Sequence, residues 1–488
     1  MPPRILIAGA GISGLALAQG LLNHPTKEFE VIVFERDAGP QARWQGHHIQ
    51  VYNYGAKALL HLLPPHLIAR LSEVLPPHIE NECHSAQIID ESGKRVVIFG
   101  AKQAKDVHDL AQIDEKKTAW MMGYRPGLRN LLLDGVDVRW SKQVIGYEES
   151  ENSVRICFAD GTDEVGDVLI GADGVNSIVR SQKFPNSYKQ HLGVTIVPTD
   201  VLVPASLAKR YHAFAKHASA TVFLGPDGHE LLVTTRLHSI TEDSATFYRM
   251  TLQYGFPSAE TNYAVSSPAD VVKDINKFLM KWKRCELTDT LLELWKLART
   301  QDVKVGGMTY VPPVKRALFE VAGVPEEGKA SRVTLLGDSI CGMSPFRGQA
   351  ANIAFQDAVS LRRALDNYEK EGFVRCIGNY ENEIRPHDLK AQIASRYVCH
   401  LYHIGLERTL KGEFLRSFST REMTLFGLRK WPVPILKPLS PFIIAATIVY
   451  VGVWKLESAA QSHPPYDTDP RNPKAYMNSK LKKHHAEH

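Results

Sequence analysis

The sequence predicts an α/β fold: a parallel sheet begun by a βαβ unit, an inserted mixed-sheet domain and a helical C-terminal region. Three observations predict it. Residues 4–8 (RILIA) and 30–34 (EVIVF) read as short buried strands, separated by the turn GAGISG and an alanine- and leucine-rich helix to about Leu22. Strand, turn, helix and strand in about 30 residues make a right-handed crossover, hence parallel strands. Two further strands, VLIG at 168 and VTLL at 333, run into Gly-Ala-Asp-Gly and Gly-Asp turns and return the chain to that sheet. Between them, residues 193–320 mix strand-like stretches, such as TVFL at 221 and ELLVTT at 230, with helical patterns around 270–300, which reads as an insertion. Residues 153–158 and 165–170 read as strands joined through the hairpin signal Asp160-Gly161.

Bulk properties narrow the class. A chain of 488 residues is too long for one simple core, and 44% hydrophobic with 23% charged residues is ordinary for a folded, water-facing protein. A formal charge of +5 gives no reason to expect a nucleic-acid partner. The six cysteines, at 83, 157, 285, 341, 376 and 399, form no C-x-x-C pair, so reduced thiols are expected and no metal site. Cys399, His400 and His403 read as neighbours on a helix surface. The first strand begins at once, with no apolar signal segment before it, so a cytoplasmic enzyme is expected.

Gly9, Gly11 and Gly14 fit G-x-G-x-x-G between a strand and a helix. The first glycine allows the tight turn, the second leaves room for a pyrophosphate, and the third lets helix and strand approach. The phosphates then face helix-start N–H groups and the positive end of the dipole. Glu35 closes the second strand 21 residues after Gly14, where a carboxylate accepts adenosine ribose hydroxyls and repels a 2′-phosphate. The motif therefore points to FAD or NAD and does not choose between them.

GAGISG at 9–14, the Asp173-Gly174 turn, the Gly337-Asp338 turn and YRPGLRNLLL at 124–133, in this order, resemble the FAD-dependent monooxygenases of the para-hydroxybenzoate hydroxylase type, over roughly residues 4–365. The resemblance implies a Rossmann-like FAD-binding domain at 1–184 and 326–370, with a substrate-side excursion near 82–115. It also implies a substrate domain at 185–325; beyond the resemblance, residues 371–457 read as a helical region, and residues 458–488, polar and ending in KLKKHHAEH, as a disordered tail. By the same resemblance Gly9, Gly11 and Gly14 hold the pyrophosphate and Glu35 the ribose, and Arg36 and Gly46 lie beside the cofactor. Arg125 would stand by the ribityl–phosphate region and Asp338 would accept a ribityl hydroxyl. Pro345, Gly348, Ala351 and Asn352 would line the isoalloxazine ring, and Asp173 and Gly174 would serve the flavin and the approach of the nicotinamide. Independently, helix-start N–H groups after Gly348 suit the negative charge of reduced flavin, a dipole effect of about 0.3–2 kcal/mol.

The activity so implied uses NAD(P)H to reduce FAD and O2 to form a flavin C4a-hydroperoxide, which hydroxylates or epoxidises a small organic substrate. Fungal members of secondary metabolism suggest an aromatic polyketide or terpenoid. The sequence names no catalytic base. His47 and His48, in QGHHIQ, read as an ordinary loop pair, and Tyr211, His212 and His217 as structural or exposed. Many family members carry a histidine soon after the Gly-Asp aspartate, where this chain has Ser339-Ile340-Cys341. Alternatives are an FAD-dependent reductase or a halogenase, the latter disfavoured by the lack of a W-x-W-x-I segment, or a non-catalytic protein keeping the fold.

Residues 442–454 (FIIAATIVYVGVW) are uncharged and mostly apolar. As a helix they would extend about 20 Å, short of the ~30 Å hydrocarbon layer. Basic residues flank them on both sides, Arg429, Lys430 and Lys437 before and Lys455, Lys480, Lys482 and Lys483 after. Shallow membrane association through 438–456 and a buried C-terminal helix both remain open.

Overall fold

The computed structural model describes residues 1–42, 48–75, 83–89, 94–99, 104–115, 117, 119–215, 218–225, 231–242, 245–257, 268–298, 304–305, 308–309, 316–324 and 331–404. By internal contacts the chain divides into Met1–Gly405 and Leu406–His488. The described residues all fall in the first unit, and the apolar segment 442–454 lies outside them.

The βαβ unit forms where the sequence places it: β1 (Arg4–Ala8), α1 (Ile12–Leu22) and β2 (Glu30–Phe34), with β1 and β2 parallel. Both strands are apolar runs buried on both faces, as central parallel strands are. Next in chain order, β3 (His48–Tyr52) pairs antiparallel with β4 (Trp120–Tyr124). β5 (Val168–Gly171) lies parallel to β1 on the side away from β2, and β8 (Val333–Leu335) lies parallel to β5; the long strands β6 (Tyr188–Pro204) and β7 (Ala245–Pro257) come between these two in sequence. The five-stranded sheet therefore runs β8, β5, β1, β2 and then Asp137–Arg139. The Asp160-Gly161 hairpin joins Val154–Phe158 to Asp163–Gly166, in a separate three-stranded sheet. The strand expected at 165–170 is thus two strands, broken at Asp167, whose Oδ2 accepts the N–H of Arg4.

A further, seven-stranded sheet contains β6 and β7 as neighbours, with an antiparallel ladder continuous from Val194↔Pro257 to Pro204↔Phe247. It is mixed, because Cys83–Ile89 lies parallel to Ala218–Leu224. Thus Cys83–Ile89 and Arg95–Phe99, from the expected substrate-side excursion, belong to this sheet. One face of it packs Val197, Val201, Val203, Met250, Leu252 and Tyr254 against the helices Ala205–Ala215, Pro268–Leu279 and Glu286–Lys296. Two more helices complete the frame. α2 (Ala350–Ala364) packs on α1, and α3 (Phe373–Ile404) is a 32-residue helix with Pro386 inside it.

Candidate active site

The three glycine turns meet because their strands are neighbours. Ala8 of β1 is in register with Gly171 of β5, and Gly171 with Leu335 of β8. The N–H of Ala172 donates to Ala8 O at 2.7 Å and that of Leu336 to Gly171 O at 2.9 Å. The turns after Ala8, Gly171 and Leu336 therefore stand side by side at the carboxyl ends of parallel strands, where open α/β sheets bind ligands.

The first motif's glycines differ in their surroundings. Gly9 has φ +109°, and a Cβ there would lie 2.4 Å from Ala172 O. A Cβ on Gly14 would lie 2.3 Å from Gly9 O, so the turn and α1 touch. Gly11 has nothing within 4 Å of such an atom, and no side chain caps the start of α1. That open N-terminus is a cradle into which a phosphate fits. Glu35 is 5% exposed; its Oε2 accepts the N–H of Ala10 at 3.0 Å and its Oε1 that of Asp37 at 3.1 Å. Arg36 is exposed, and Gly46 lies outside the described residues.

Asp173 and Ser177 cap the helix Ile178–Lys183: Asp173 Oδ2 accepts the N–H of Ile178 at 2.8 Å, and Ser177 Oγ that of Arg180 at 2.9 Å. Gly174 has φ +79° and open space where a Cβ would be. Gly337, at φ +66°, rests on Ser13 of α1. Asp338 is reached by solvent yet is surrounded by protein, as a side chain lining a deep cleft is. That enclosure pushes its carboxyl above the ordinary range, against the attraction of Arg125 at the start of the helix Arg125–Leu132. Burial also raises the Asp173 carboxyl, opposed by hydrogen bonds from Ser177 and the helix N–H groups.

The segment before α2 is a short 3-10 turn, Pro345–Arg347, followed by Gly348 at φ +60°. A side chain at 348 would be strained by the positive φ, and a Cβ there would lie 2.2 Å from Gln50 Oε1, so Gln50 would have to move. Ala351 stands in the first turn of α2. Asn352 is wholly buried and joins α2 to β3: its Oδ1 accepts the N–H of Tyr52 at 2.8 Å, and its Nδ2 donates to Gln50 O at 2.7 Å and Gly348 O at 3.0 Å. Tyr52 donates its hydroxyl to Arg347 O at 2.8 Å, and burial pushes Tyr52 and Tyr402 up to about 12. The Arg347 guanidinium is held among Tyr52, Tyr54 and Tyr402.

Sequence reasoning missed three things here. Arg129 is fully buried and donates from Nε to Ala10 O at 2.8 Å and from NH1 to Pro40 O at 2.7 Å, tying the first turn to the segment after β2. The signal was present, for YRPGLRNLLL contains R-x-x-L twice. His48 is not in a loop: it starts β3 and is hydrogen-bonded through Nδ1 to Thr251 Oγ1 at 2.7 Å. The alternation in HIQVY, which puts His48, Gln50 and Tyr52 on one face, was the signal for it. Its neighbour His47 lies outside the described residues, as does His217. Cys399 and His403 do not lie on a helix surface: both are fully buried on α3, where burial pulls His403 down to about 4. Tyr211 is a core residue, in edge contact with His212. A cavity of about 130 Å³ lined by Val197, Tyr254, Phe256, Val271, Asp274 and Ile275 lies on the helix-packed face of the large sheet, away from the glycine turns.

Fold and turns together define a dinucleotide-binding α/β protein with a separate mixed sheet beside the cofactor cleft. Comparison with known proteins narrows this. The chain is 27% identical over 394 residues to the FAD-dependent monooxygenase thnD of Trichoderma harzianum, covering 79% of this chain and 88% of that protein. It is 26% identical over 427 residues to a probable FAD-dependent monooxygenase of Arthroderma benhamiae, covering 82% and 91%. Among solved structures it resembles a putative FAD-containing monooxygenase of Photorhabdus luminescens (TM-score 0.64, 22% identity, 82% of this chain and 99% of the other). It also resembles Klebsiella pneumoniae HpxO complexed with FAD and uric acid (TM-score 0.62, 19% identity, 85% and 92%). A family model described as ATP synthase j chain matches residues 430–480, which include the apolar run. In sequence and in fold the chain is thus similar to FAD-dependent monooxygenases. Among the described residues, no helix is long and apolar enough to cross a membrane.

Proposed function

We propose that this enzyme uses NAD(P)H and O2 to hydroxylate or epoxidise a small organic substrate, an aromatic polyketide or terpenoid, at the face where β3, the 345–352 segment and the large sheet meet. When bound, FAD supplies the chemistry of accepting a hydride and delivering one oxygen atom of O2. The chain's own residues bind, orient and enclose. Gly9, Gly11 and Gly14 admit the pyrophosphate at the start of α1, with Glu35 at the ribose and Arg36 and Gly46 alongside. Arg125 and Asp338 take the ribityl–phosphate region. Asp173 and Gly174 flank the flavin, and Pro345, Gly348, Ala351 and the backbone at Asn352 line the ring. The carrying observation is the adjacency of the three strand-end turns, with open space at Gly11 and Gly174. Purified protein should carry extractable FAD, and a product heavier by one oxygen atom should form with NADPH or NADH only in air. Product forming equally under nitrogen would point to the reductase reading, and colourless protein that takes up no FAD would refute both.

Residues 438–456 we assign to shallow membrane contact, on the apolar run between basic flanks, with a buried C-terminal helix as the alternative. Removing residues 438 onward and fractionating the cell tests this: an unchanged soluble fraction ends the assignment.

A further inference from the structure

The ring-lining segment is gripped by one face of α3. Asp388, Gln392, Ser395, Cys399 and Tyr402 follow along that helix at spacings of three and four, so they share a face. The backbone carbonyl of Asp388 accepts the Cys341 thiol at 3.3 Å, and Gln392 Nε2 donates to Gly342 O at 3.0 Å and to Val321 O at 2.7 Å. Ser395 meets Ser344, and the Phe346 ring lies against those of Tyr402 and His403, with centroids 6.0 and 4.8 Å apart. Contacts from this face thus follow the chain from Cys341 to Phe346, just short of the turn at Gly348.

Among these contacts, that of Ser344 with Ser395 is reciprocal. Ser344 Oγ donates to Ser395 O at 3.1 Å, Ser395 Oγ donates to Ser344 O at 3.0 Å, and the two Oγ atoms are 2.8 Å apart. Each hydroxyl has one proton, and each has the other residue's carbonyl to take it. The residues are 2% and 0% exposed, so a lost partner leaves a buried polar group. The next residue of α3, Arg396, forms a buried ion pair with Glu320 on the strand Arg316–Ala322, which borders β6 in the seven-stranded sheet. Adjacent positions of α3 therefore hold the ring-lining segment and the large sheet.

This segment leads into α2, which begins with no side-chain cap and no acid in its first turn. The positive end of such a helix favours an anion, and the effect falls off within a turn. The gain of a reduced, anionic flavin thus depends on where residues 344–348 put that helix start. We propose that Ser395 is a positioning residue: through Ser344 it fixes the start of α2 against the flavin and so raises the flavin's reduction potential. This rests on the monooxygenase reading and assigns a control on the same cofactor site.

The test uses the FAD-loaded full chain and needs no substrate: the midpoint potential of the flavin is read against a reference dye. Ser395→Ala should lower the preference for reduced over oxidised flavin about threefold to tenfold, or ~15–30 mV for a two-electron couple. Ser344→Ala cuts the same link from the other side and should shift the potential equally, and it decides the matter should Ser395→Ala fail to fold. The double variant should shift no further than either single one, because the pair acts as a unit. Glu381→Gln is the control. It breaks buried ion pairs with Lys183 and Arg385 on the same helix, about 21 Å of helix away from Ser395, so it should lose stability and keep the wild-type potential. A wild-type potential in the serine variants, shifts that add in the double variant, or an equal shift in Glu381→Gln overturns the assignment. Failure of the monooxygenase reading shows separately, as a wild type that takes up no FAD.

Discussion

The side-chain oxygen of Asn352 accepts the backbone N–H of Tyr52, and the same amide donates to Gln50 O and Gly348 O, so one buried residue fixes β3 against the start of α2. Asn352→Ala leaves a donor and two acceptors buried without this partner. The expected loss is roughly 2–4 kcal/mol of stability, with weaker FAD retention, because both walls of the ring region lose their register. Urea unfolding with and without FAD measures it. A variant as stable as wild type in both would show that water replaces the amide and that the clip is dispensable.

The glycines of the first motif should separate fold from cofactor. Gly11 has ordinary angles, φ −77° and ψ 175°, and open space around it. Gly11→Ala should leave the unfolding midpoint of the FAD-free protein within a few degrees while weakening FAD at least about tenfold, or ~1.4 kcal/mol. Gly14→Ala should fail differently, since its Cβ would meet Gly9 O at 2.3 Å, and lose stability before any question of binding arises. Fluorescence titration with FAD and thermal melts tell the two apart. A Gly11→Ala protein with unchanged FAD affinity would remove the pyrophosphate from this position.

How much of this was readable in the sequence follows from the range of the interactions. The strands 4–8, 30–34 and 333–335 and the cap at Ser177 are local matters, set by apolar runs, glycine angles and side-chain capping, and they fell close to their expected positions. The contacts of Arg129 with Ala10 and Pro40, of Asn352 with Tyr52, and of His48 with Thr251 span from 89 to 300 residues of chain. No periodicity encodes such pairings. They exist because the crossover connections bring β3, β7 and α2 together, and only the completed fold shows which R-x-x-L arginine faces the first turn. Cys399 and His403 were misjudged because they continue the buried stripe of α3 through Tyr380, Ile384, Asp388 and Gln392, whose polar members do not mark it as a core face in the sequence.

Arg129 offers a third prediction. Its two hydrogen bonds run from a charged, fully buried group to carbonyls on separate segments, and its guanidinium lies over the Trp140 ring, with 5.5 Å to the centroid. Lysine is a point charge and cannot hold both carbonyls with the geometry of a planar fork. Arg129→Lys should cost about 1.5–3 kcal/mol, the value of a bond to a charged group, and Arg129→Ala more. Both should loosen FAD binding, as the first turn loses its brace at Ala10. Denaturant midpoints and FAD titration measure these effects; a lysine variant equal to wild type in both would show that charge alone suffices.

The last prediction concerns acid groups behind the ring-lining helix. Asp357, on α2, and Asp388, on α3, are 1% and 5% exposed, and with His387 they bring one ligand-type atom each within 4.8 Å of one another. Burial pushes the Asp357 carboxyl far above the ordinary range, and the charge of Asp388 pushes it further. Asp388 is raised by burial too, against the hydrogen bond from His387. The pair is therefore most stable when it holds a proton. For an acid whose folded value is raised, the folded state binds more protons than the unfolded one at intermediate pH. Its stability is then fully present below the unfolded carboxylate value, about 3.9, and falls as pH rises through the folded value. Asp357→Asn keeps the shape and cannot ionise, so its melting temperature should gain on wild type progressively from about pH 5 to pH 8. A gap that stays constant across that range would mean the pair carries its charge at every pH tested. A gap that appears only after added divalent cation is chelated would mean that the two carboxylates act as metal ligands instead.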